Sequence, residues 1–318
     1  MDINCHIRCM EKSISVIIPT HFRNEQLNVA IQSVLNQDYP DIELIVVDDS
    51  GERYAEPVLD LYDEVIPIYR SENGGWAAAY TSGIEASSGE YIQFLDDDDY
   101  LLQGKLSKTA AVLDNHAHVG VSYCGVIRGD EGEFLPKPKV AGDILEYALQ
   151  FKTFPVWTGS MLMERDILID CMPLAGMAKG DDLDIELGDT NLKIELARRT
   201  LFDYVDECLV YYHREGNKLW TGPRKFHKVM QNVRYQQELY DQYPTIKREL
   251  LATWYQRQGL YWLEERTWSA KAIICFLKST YHSQGTPNKL KGGVGAVISM
   301  FGHHGWLAAE RVRNMVNS

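Results

Sequence analysis

The chain has 318 residues, 45% of them apolar, so it can bury the core of one large domain or of one domain with a substantial appendage. Its formal net charge of -13, from 45 acidic and 32 basic residues, argues against nucleic acid as a partner, because phosphate binding needs a basic surface. No segment approaches the roughly 20 apolar residues of a membrane span, and the N-terminus lacks the pattern of a secretory signal. We therefore expect a cytoplasmic protein, and a peripheral contact with the inner face of the membrane stays open.

Strands and helices are predicted to alternate through the first half of the chain. Short apolar runs rich in β-branched residues predict buried strands, and apolar residues at helical spacing predict the helices between them. The predicted strands are residues 13–19, 42–47, 65–69 and 90–95, and the predicted helices are residues 24–37 and 77–87. This alternation predicts an α/β fold whose sheet is mostly parallel, with helices on both faces.

Polar clusters directly follow three of these strands. They are Thr20 and His21, Asp48 and Asp49, and the four aspartates 96–99. In a sheet of this kind ligands bind beyond the carboxyl ends of the strands, so we expect these side chains to converge on one site. The convergence predicts a nucleotide site, although these turns carry no glycine-rich dinucleotide or P-loop pattern.

The aspartate run 96–99 is the segment most suggestive of chemistry. Its carboxylates repel one another, and packing at the end of a buried strand removes water from some of them. A divalent cation relieves that repulsion, and oxygen ligands suit Mg²⁺ or Mn²⁺, which commonly bridge protein carboxylates to substrate phosphates. The run therefore predicts a metal site, with a solvated acidic turn as the alternative.

The last third of the chain has a different pattern. Apolar residues recur there at helical spacing in three segments, residues 226–240, 246–263 and 269–281. We therefore predict a helical C-terminal region, residues 217–318, after a first domain, residues 1–216, that carries the nucleotide site.

Six short motifs occur in the order and spacing of family 2 of the glycosyltransferases. They are residues 15–20 (SVIIPT), 33–37 (SVLNQ), 43–50 (ELIVVDDS), 73–75 (NGG), 89–92 (GEYI) and the aspartates 96–99. The chain resembles that family over roughly residues 13–217. The resemblance implies the GT-A fold, which has a Rossmann-like sheet, and an enzyme that transfers a sugar from a nucleotide-sugar donor.

The resemblance also implies roles in the donor pocket. Asp49 matches the carboxylate that accepts a hydrogen bond from the nucleotide base, with Asp48 beside it. His21 stands where an aromatic ring usually stacks on the base. The alternatives are that Asp48 merely caps a turn and that His21 is an ordinary surface histidine. The other residues expected to bind the nucleotide-sugar are Pro19, Thr20, Arg23, Gly74, Gly75, Asp96 and Asp97.

The metal site is expected at the same aspartates. Asp96 and Asp98 match the outer positions of the D-x-D motif, and Asp98 is the expected direct ligand of Mn²⁺ or Mg²⁺. Residues 204–213 resemble the closing strand of the family, and His213 at the end of this segment is a further candidate for contact with the metal or the diphosphate, against a purely structural role. The chain departs from the family at Tyr80, where an arginine is common, so the metal or Arg23 must carry more of the diphosphate charge.

Two aspartates are candidates for the catalytic base. Asp182 and Asp189 each resemble the family's acid that precedes an apolar helix. In the family the helix that carries the base leads directly into the closing strand, and this resemblance favours Asp189, which lies seventeen positions before Asp206. Asp182, which needs roughly two more turns of helix between the base and the strand, stays the alternative.

The combined prediction is an inverting, metal-dependent transfer of a sugar to an acceptor hydroxyl, in polysaccharide or glycoconjugate synthesis. The nucleotide base is expected to donate an N–H to Asp49. Uracil can do so, and a UDP-sugar is therefore the favoured donor; thymine makes a dTDP-sugar the second choice, and guanine leaves a GDP-sugar open. The acceptor is expected to be a saccharide or glycoconjugate, and the oligomeric state is not predicted. The alternatives are a nucleotidyltransferase, although residues 19–23 lack the glycines usual there, and a catalytically silent, glycosyltransferase-like binding subunit.

Overall fold

The computed structural model describes residues 12–174, 187–213, 223–264 and 269–283, and five further residues between 289 and 297. The chain divides into two compact units, Met1–Arg214 and Glu215–Ser318. Asp182, one of the two candidate bases, lies outside the described residues.

The described part of the first unit is built on a nine-stranded sheet. Its strands are β1 (Ile14–Thr20), β2 (Ile42–Asp48), β3 (Val65–Tyr69), β4 (Tyr91–Phe94), β5 (Tyr100–Leu101), β6 (Val119–Arg128), β7 (Glu133–Phe134), β8 (Met161–Glu164) and β9 (Leu201–Tyr212). They lie in the order β3-β2-β1-β4-β8-β6-β9-β5, and β7 pairs with β6. The pairs among β1 to β4 are parallel, whereas β8 runs antiparallel to β4 and to β6.

Helices connect these strands. They are α1 (Asn24–Leu35), α2 (Glu56–Leu59), α3 (Trp76–Ala86), α4 (Lys105–Asn115), α5 (Leu145–Leu149), α6 (Arg165–Ile169) and α7 (Gly188–Ala197). The strands and helices predicted for the first half of the chain correspond to β1 to β4, α1 and α3. The predicted α/β fold class is therefore confirmed.

Both faces of the parallel part of the sheet are covered. Val16, Ile17 and Ile18 of β1 are each fully buried, and successive side chains of a strand point to opposite faces. Helix α3 approaches β1 so closely at Gly83 that a Cβ there would lie 2.2 Å from a methyl carbon of Ile17. Only glycine fits where α3 crosses β1. Because Gly83 has no side chain, the helix can pack tightly on the sheet.

The order of the strands places a crevice at β1. From β1 the chain passes to β2 and β3 on one side, and then returns through α3 to β4 on the other side. This reversal leaves the carboxyl ends of β1 and β4 beside each other without a connection across them. Open α/β sheets bind their ligands at such a point.

The described part of the second unit is helical, as predicted for the C-terminal region. Its helices are α8 (Pro223–Tyr235), α9 (Gln237–Gln242), α10 (Pro244–Glu264) and α11 (Ala270–His282). Ser269 caps the start of α11, where its hydroxyl accepts a hydrogen bond from the Ala272 N–H at 3.3 Å. Phe276 of α11 packs against Gly259 of α10, where a Cβ would lie 2.9 Å from the ring. No helix among the described residues is both long and apolar enough to cross a bilayer.

Candidate active site

A cavity of about 540 Å³ opens where β1 and β4 end. Its lining comprises Pro19, Thr20, His21, Arg23, Asp49, Asn73, Gly75, Trp76, Ala79, Asp96, Asp97, Asp98, Trp157, Tyr212 and His213. Ten of these residues were predicted from the sequence to bind the donor or the metal. The structure thus brings together side chains that are separated by almost two hundred positions in the chain.

Asp97 joins the ends of the two central strands. Its carboxylate accepts hydrogen bonds from the Thr20 hydroxyl at 2.8 Å, from the His21 N–H at 3.4 Å and from the Arg23 guanidinium at 2.9 Å. Burial raises the pKa of Asp97, and the Thr20 and Arg23 bonds oppose that rise. Asp97 therefore fixes the β1 end of the cavity.

Arg23 is the counter-charge of the aspartate run. One nitrogen of its guanidinium lies 2.9 Å from Asp97 and 2.9 Å from Asp98. The described lining of the cavity contains four aspartates against this one arginine. An anionic ligand is repelled by such a surface unless a further cation accompanies it.

Asp96 is the aspartate most affected by its surroundings. It accepts a hydrogen bond from the Tyr80 hydroxyl at 3.0 Å. Burial, followed by the charge of Asp98, raises the pKa of Asp96 to about 7, and Asp189 contributes to the rise. Tyr80, which occupies the position of the expected arginine, thus binds the aspartate run as a neutral donor.

Asp99 belongs to the predicted aspartate cluster but was given no role of its own, and the structure shows that it connects the aspartate run to β9. Its Oδ1 accepts a hydrogen bond from the backbone N–H of His213 at 2.8 Å. Its Oδ2 is buried and has no hydrogen-bond partner among the described residues. Burial, with the charge of Asp96, raises the pKa of Asp99 well above its ordinary value. Asp99 therefore holds His213 at the rim of the cavity.

Asp49 shapes the turn before α3. Its carboxylate accepts hydrogen bonds from the Arg70 Nε at 2.7 Å, from the Gly74 N–H at 3.0 Å and from the Gly75 N–H at 2.7 Å. Gly75 has a φ of 79°, a conformation that favours glycine. Arg70 was missed by the sequence reasoning, although it follows β3 directly and the same strand-end argument applies to it.

Asp48 and Gly74 are not part of the cavity lining. Asp48 is buried, and its two oxygens accept hydrogen bonds from the backbone N–H groups of Ser50 at 2.9 Å and Ala55 at 2.7 Å. Successive side chains at the end of β2 point to opposite sides, so Asp49 reaches the cavity and Asp48 does not. The structure therefore places Asp48 in the turn-capping role, and Gly74 contributes its N–H to Asp49.

The lining contains oxygen atoms of the kind that a hard divalent cation takes as ligands. Asp96, Asp98 and His213 border the same cavity, and carboxylate oxygens are the ligands that Mn²⁺ and Mg²⁺ prefer. The excess of negative charge and the orphaned oxygen of Asp99 also suit a cation. Within the part of the chain that the structure describes, however, no group of three or more histidine, cysteine or acidic side chains is close enough together to hold a metal ion.

Asp189 lies in the first turn of α7, outside the cavity lining. Its Oδ2 is 2.9 Å from the Lys193 ammonium, which also donates to the Val156 carbonyl at 3.2 Å. Lys193 lies over the Trp157 ring, with its nitrogen 5.9 Å from the ring centroid. Trp157 lines the cavity, and the charge of Asp189 contributes to the raised pKa of Asp96. Asp189 is therefore close to the aspartate run, although it does not line the cavity itself.

Aromatic residues form another part of the lining. The rings of Trp157 and Tyr212 lie 4.5 Å apart between centroids, and Trp76 packs edge-on against Tyr80 at 5.1 Å. Trp76 and Tyr212 were missed as site residues. Their positions directly after the Gly74-Gly75 turn and directly before His213 are the only signal in the sequence that could have identified them.

Comparisons with known proteins agree with this architecture. Residues 15–171 match the family model described as Glycosyl transferase family 2. The chain is 38% identical over 161 residues to an uncharacterized glycosyltransferase of Haemophilus influenzae, an alignment covering 48% of this chain and 62% of that protein. It is 38% identical over 112 residues to the GalNAc(5)-diNAcBac-PP-undecaprenol beta-1,3-glucosyltransferase of Campylobacter jejuni, covering 33% of this chain and 36% of that protein. The chain thus spans less than two thirds of either curated relative.

A solved structure shares the fold. S. aureus TarS 1-349 in complex with UDP-GlcNAc has a TM-score of 0.55 and 15% sequence identity, covering 93% of this chain and 92% of that chain. At this identity the likeness establishes the fold alone.

The segment that matches the family model supplies β1 to β8 and, with them, most of the cavity lining. The chain belongs to family 2 of the glycosyltransferases.

Proposed function

We propose that this protein transfers a sugar from a UDP-sugar to a hydroxyl of a saccharide or glycoconjugate acceptor. The observation that carries the proposal is the acidic cavity at the point where the strand order reverses. Its volume of about 540 Å³ suits a nucleotide-sized ligand, since small-molecule pockets commonly measure roughly 300–1,000 Å³. The UDP-GlcNAc bound to TarS, which shares the fold, supports a donor of this class.

The choice of UDP depends on Asp49. A carboxylate at the cavity wall accepts the N–H that uracil presents, and thymine presents the same edge. In the structure Asp49 is also bound by Arg70 and by the turn at Gly74 and Gly75, so the same carboxylate links base binding to the shape of the turn. A dTDP-sugar is therefore the second choice, and guanine, which also carries an N–H donor, makes a GDP-sugar the third.

Mn²⁺ or Mg²⁺ is proposed to bind at Asp98 and Asp96, with His213 as a further ligand. When bound, such a cation supplies Lewis-acid neutralisation of the departing diphosphate. The four aspartates of the lining, set against Arg23 alone among its described residues, support a requirement for added positive charge. If Asp98 held such a cation in place of its contact with Arg23, Arg23 would keep its contact with Asp97 and could also face the diphosphate.

The chemical step is proposed to be a single displacement with inversion. Asp189 accepts the proton of the acceptor hydroxyl, and the oxygen forms a bond to the anomeric carbon as the bond to the nucleoside diphosphate breaks on the opposite face. Lys193 forms an ion pair with Asp189 at 2.9 Å, which holds the Asp189 side chain in place. Positioned general bases contribute roughly 10²–10⁴-fold to such reactions. Trp157, between Lys193 and the cavity, is proposed to border the acceptor.

A panel of nucleotide-sugars tests this proposal. The purified chain is incubated with UDP-, dTDP- and GDP-sugars, with and without Mn²⁺, and both the midpoint of thermal unfolding and the release of nucleoside diphosphate are measured. We expect a UDP-sugar with Mn²⁺ to raise the midpoint most, because a ligand bound only by the folded state stabilises it, and to release UDP. Binding without release in the presence of a broad set of saccharide acceptors would indicate a catalytically silent binding subunit instead.

A further inference from the structure

Helix α11 of the second unit carries an exposed apolar stripe. Ile274, Leu277 and Tyr281 are 52%, 54% and 79% exposed. Their spacing of three and four residues places them on one face of the helix. The opposite face, which includes Ala272 and Phe276, is buried in the core of the unit. The helix is therefore amphipathic, with a second apolar surface that faces away from that core.

Two lysines belong to the same outward surface. Lys271 and Lys278 are exposed, and they lie within one turn of Ile274 on the helix. The Lys271 ammonium is 4.6 Å from the centroid of the Trp262 ring, and the Lys278 ammonium is 5.2 Å from that of Tyr255. We call Lys271, Ile274, Leu277, Lys278 and Tyr281 the α11 face. It combines aliphatic side chains with lysines that are flanked by amphipathic aromatic rings.

The two lysines of this face have a charge opposite in sign to that of the whole chain. Residues 269–309 contain four lysines and no aspartate or glutamate, although the chain has 45 acidic residues and a formal net charge of -13. Because two of these lysines, Lys271 and Lys278, lie on the α11 face, this face suits a negatively charged surface.

We propose that the α11 face docks on an anionic phospholipid membrane. Aliphatic side chains of an interfacial helix enter the boundary between headgroups and acyl chains, while lysines reach the phosphates and Trp and Tyr sit at the headgroup level. The α11 face has all three kinds of residue. A second copy of this chain is the less suitable occupant, because a two-fold contact through this face brings its lysines against the same lysines of the partner.

Flotation of the full chain with vesicles tests the proposal. Vesicles of phosphatidylcholine alone are compared with vesicles of phosphatidylcholine and phosphatidylglycerol, at low and high salt. We expect flotation with the anionic vesicles only, and weaker flotation at high salt. The double variant Lys271→Gln/Lys278→Gln should weaken binding roughly 25-fold, since each lysine near an anionic surface contributes roughly fivefold. Ile274→Ser/Leu277→Ser should abolish flotation.

Matched controls come from the first unit. Leu61→Ser replaces an aliphatic side chain that is 71% exposed, and Lys139→Gln removes an exposed lysine; both should float like the wild type. UDP release measured without vesicles should be unchanged in all variants, which separates this proposal from the proposed function. The proposal is overturned if the wild type does not float with anionic vesicles or if the α11 variants float like the controls. It is also overturned if sedimentation shows a dimer that Ile274→Ser/Leu277→Ser dissociates while this variant still floats.

Discussion

At the scale of residues, four chemically identical side chains in a row have four different environments. Asp97 and Asp99 are held by the ends of β1 and β9, and burial raises the pKa of each. Asp96 accepts its bond from Tyr80. Asp98 is the more open of the two that contact Arg23, with 27% of its side chain exposed against 7% for Asp97. Asp98 is therefore the carboxylate that can change partners at least cost.

The variant Asp98→Asn tests this difference. We expect loss of most Mn²⁺-dependent turnover with an unchanged fold, because a neutral amide is a poor ligand for a hard cation and Asp98 supports no buried backbone group. Activity with and without EDTA, and circular dichroism, are the measurements. Asp63→Asn, at an exposed acid outside the cavity lining, is the control. Near-normal activity of Asp98→Asn, or a native enzyme that is indifferent to EDTA, means that the metal assignment is wrong.

Asp189 and Asp182 are the two candidates for the catalytic base. Asp189→Asn should abolish transfer while leaving the affinity for UDP with Mn²⁺ unchanged, because Asp189 does not border the donor cavity. Turnover and calorimetric UDP binding are measured side by side, with Asp182→Asn as the comparison. If Asp182→Asn is inactive and Asp189→Asn transfers sugar normally, the two roles are exchanged.

At the scale of elements, α4 supports the site through a buried lysine. Lys105, the first residue of α4, is fully buried and donates to the side-chain oxygen of Gln93 in β4. The Gln93 amide in turn donates to the Gly159 carbonyl at 2.7 Å. Burial lowers the pKa of Lys105 to about 7. This chain of hydrogen bonds joins α4, β4 and the segment before β8 beneath the aspartate run.

The buried lysine predicts a pH dependence of stability. Between about pH 7 and the ordinary lysine pKa near 10.4, the unfolded chain binds a proton that folded Lys105 does not bind. The free energy of unfolding should therefore rise with pH above 7, by up to roughly 1.4 kcal/mol per pH unit from this group. Lys105→Met should lack this contribution in chemical denaturation at pH 7 to 9, and Lys108→Met, at an exposed lysine of α4, should retain it. If the free energy of unfolding rose equally with pH in the wild type and in Lys105→Met, the pH dependence would not come from Lys105.

At the scale of the whole molecule, the site is assembled from distant segments. The cavity takes residues from the end of β1, the turn before α3, the aspartate run, the segment before β8 and the end of β9. The parallel pairing of β1, β2 and β4 brings their carboxyl ends to one edge. The closing strand β9 reaches the same edge through its parallel pairing with β6 and the Asp99 hydrogen bond.

Hydrogen exchange should reveal this assembly. UDP with Mn²⁺ should slow exchange in the segments 19–23, 73–80, 96–99 and 210–213 together, because a ligand that contacts them all suppresses their opening at once. Peptides from β3 and from α6, which are in the same unit but contribute nothing to the lining, serve as internal controls. Protection that spreads uniformly over the unit, or that spares the aspartate run, would contradict a ligand site in this cavity.

The sequence by itself determined the α/β class and the edge of the sheet at which the polar clusters meet. Hydrophobic periodicity is a local property, and the carboxyl ends of parallel strands converge whatever the side chains are. Only the tertiary structure decided that Asp49 reaches the cavity while Asp48 caps a turn, and that Tyr80 and Arg70 bind the two acidic clusters. The direction of a side chain at a strand end and its partners across the sheet depend on long-range packing, which no local pattern encodes.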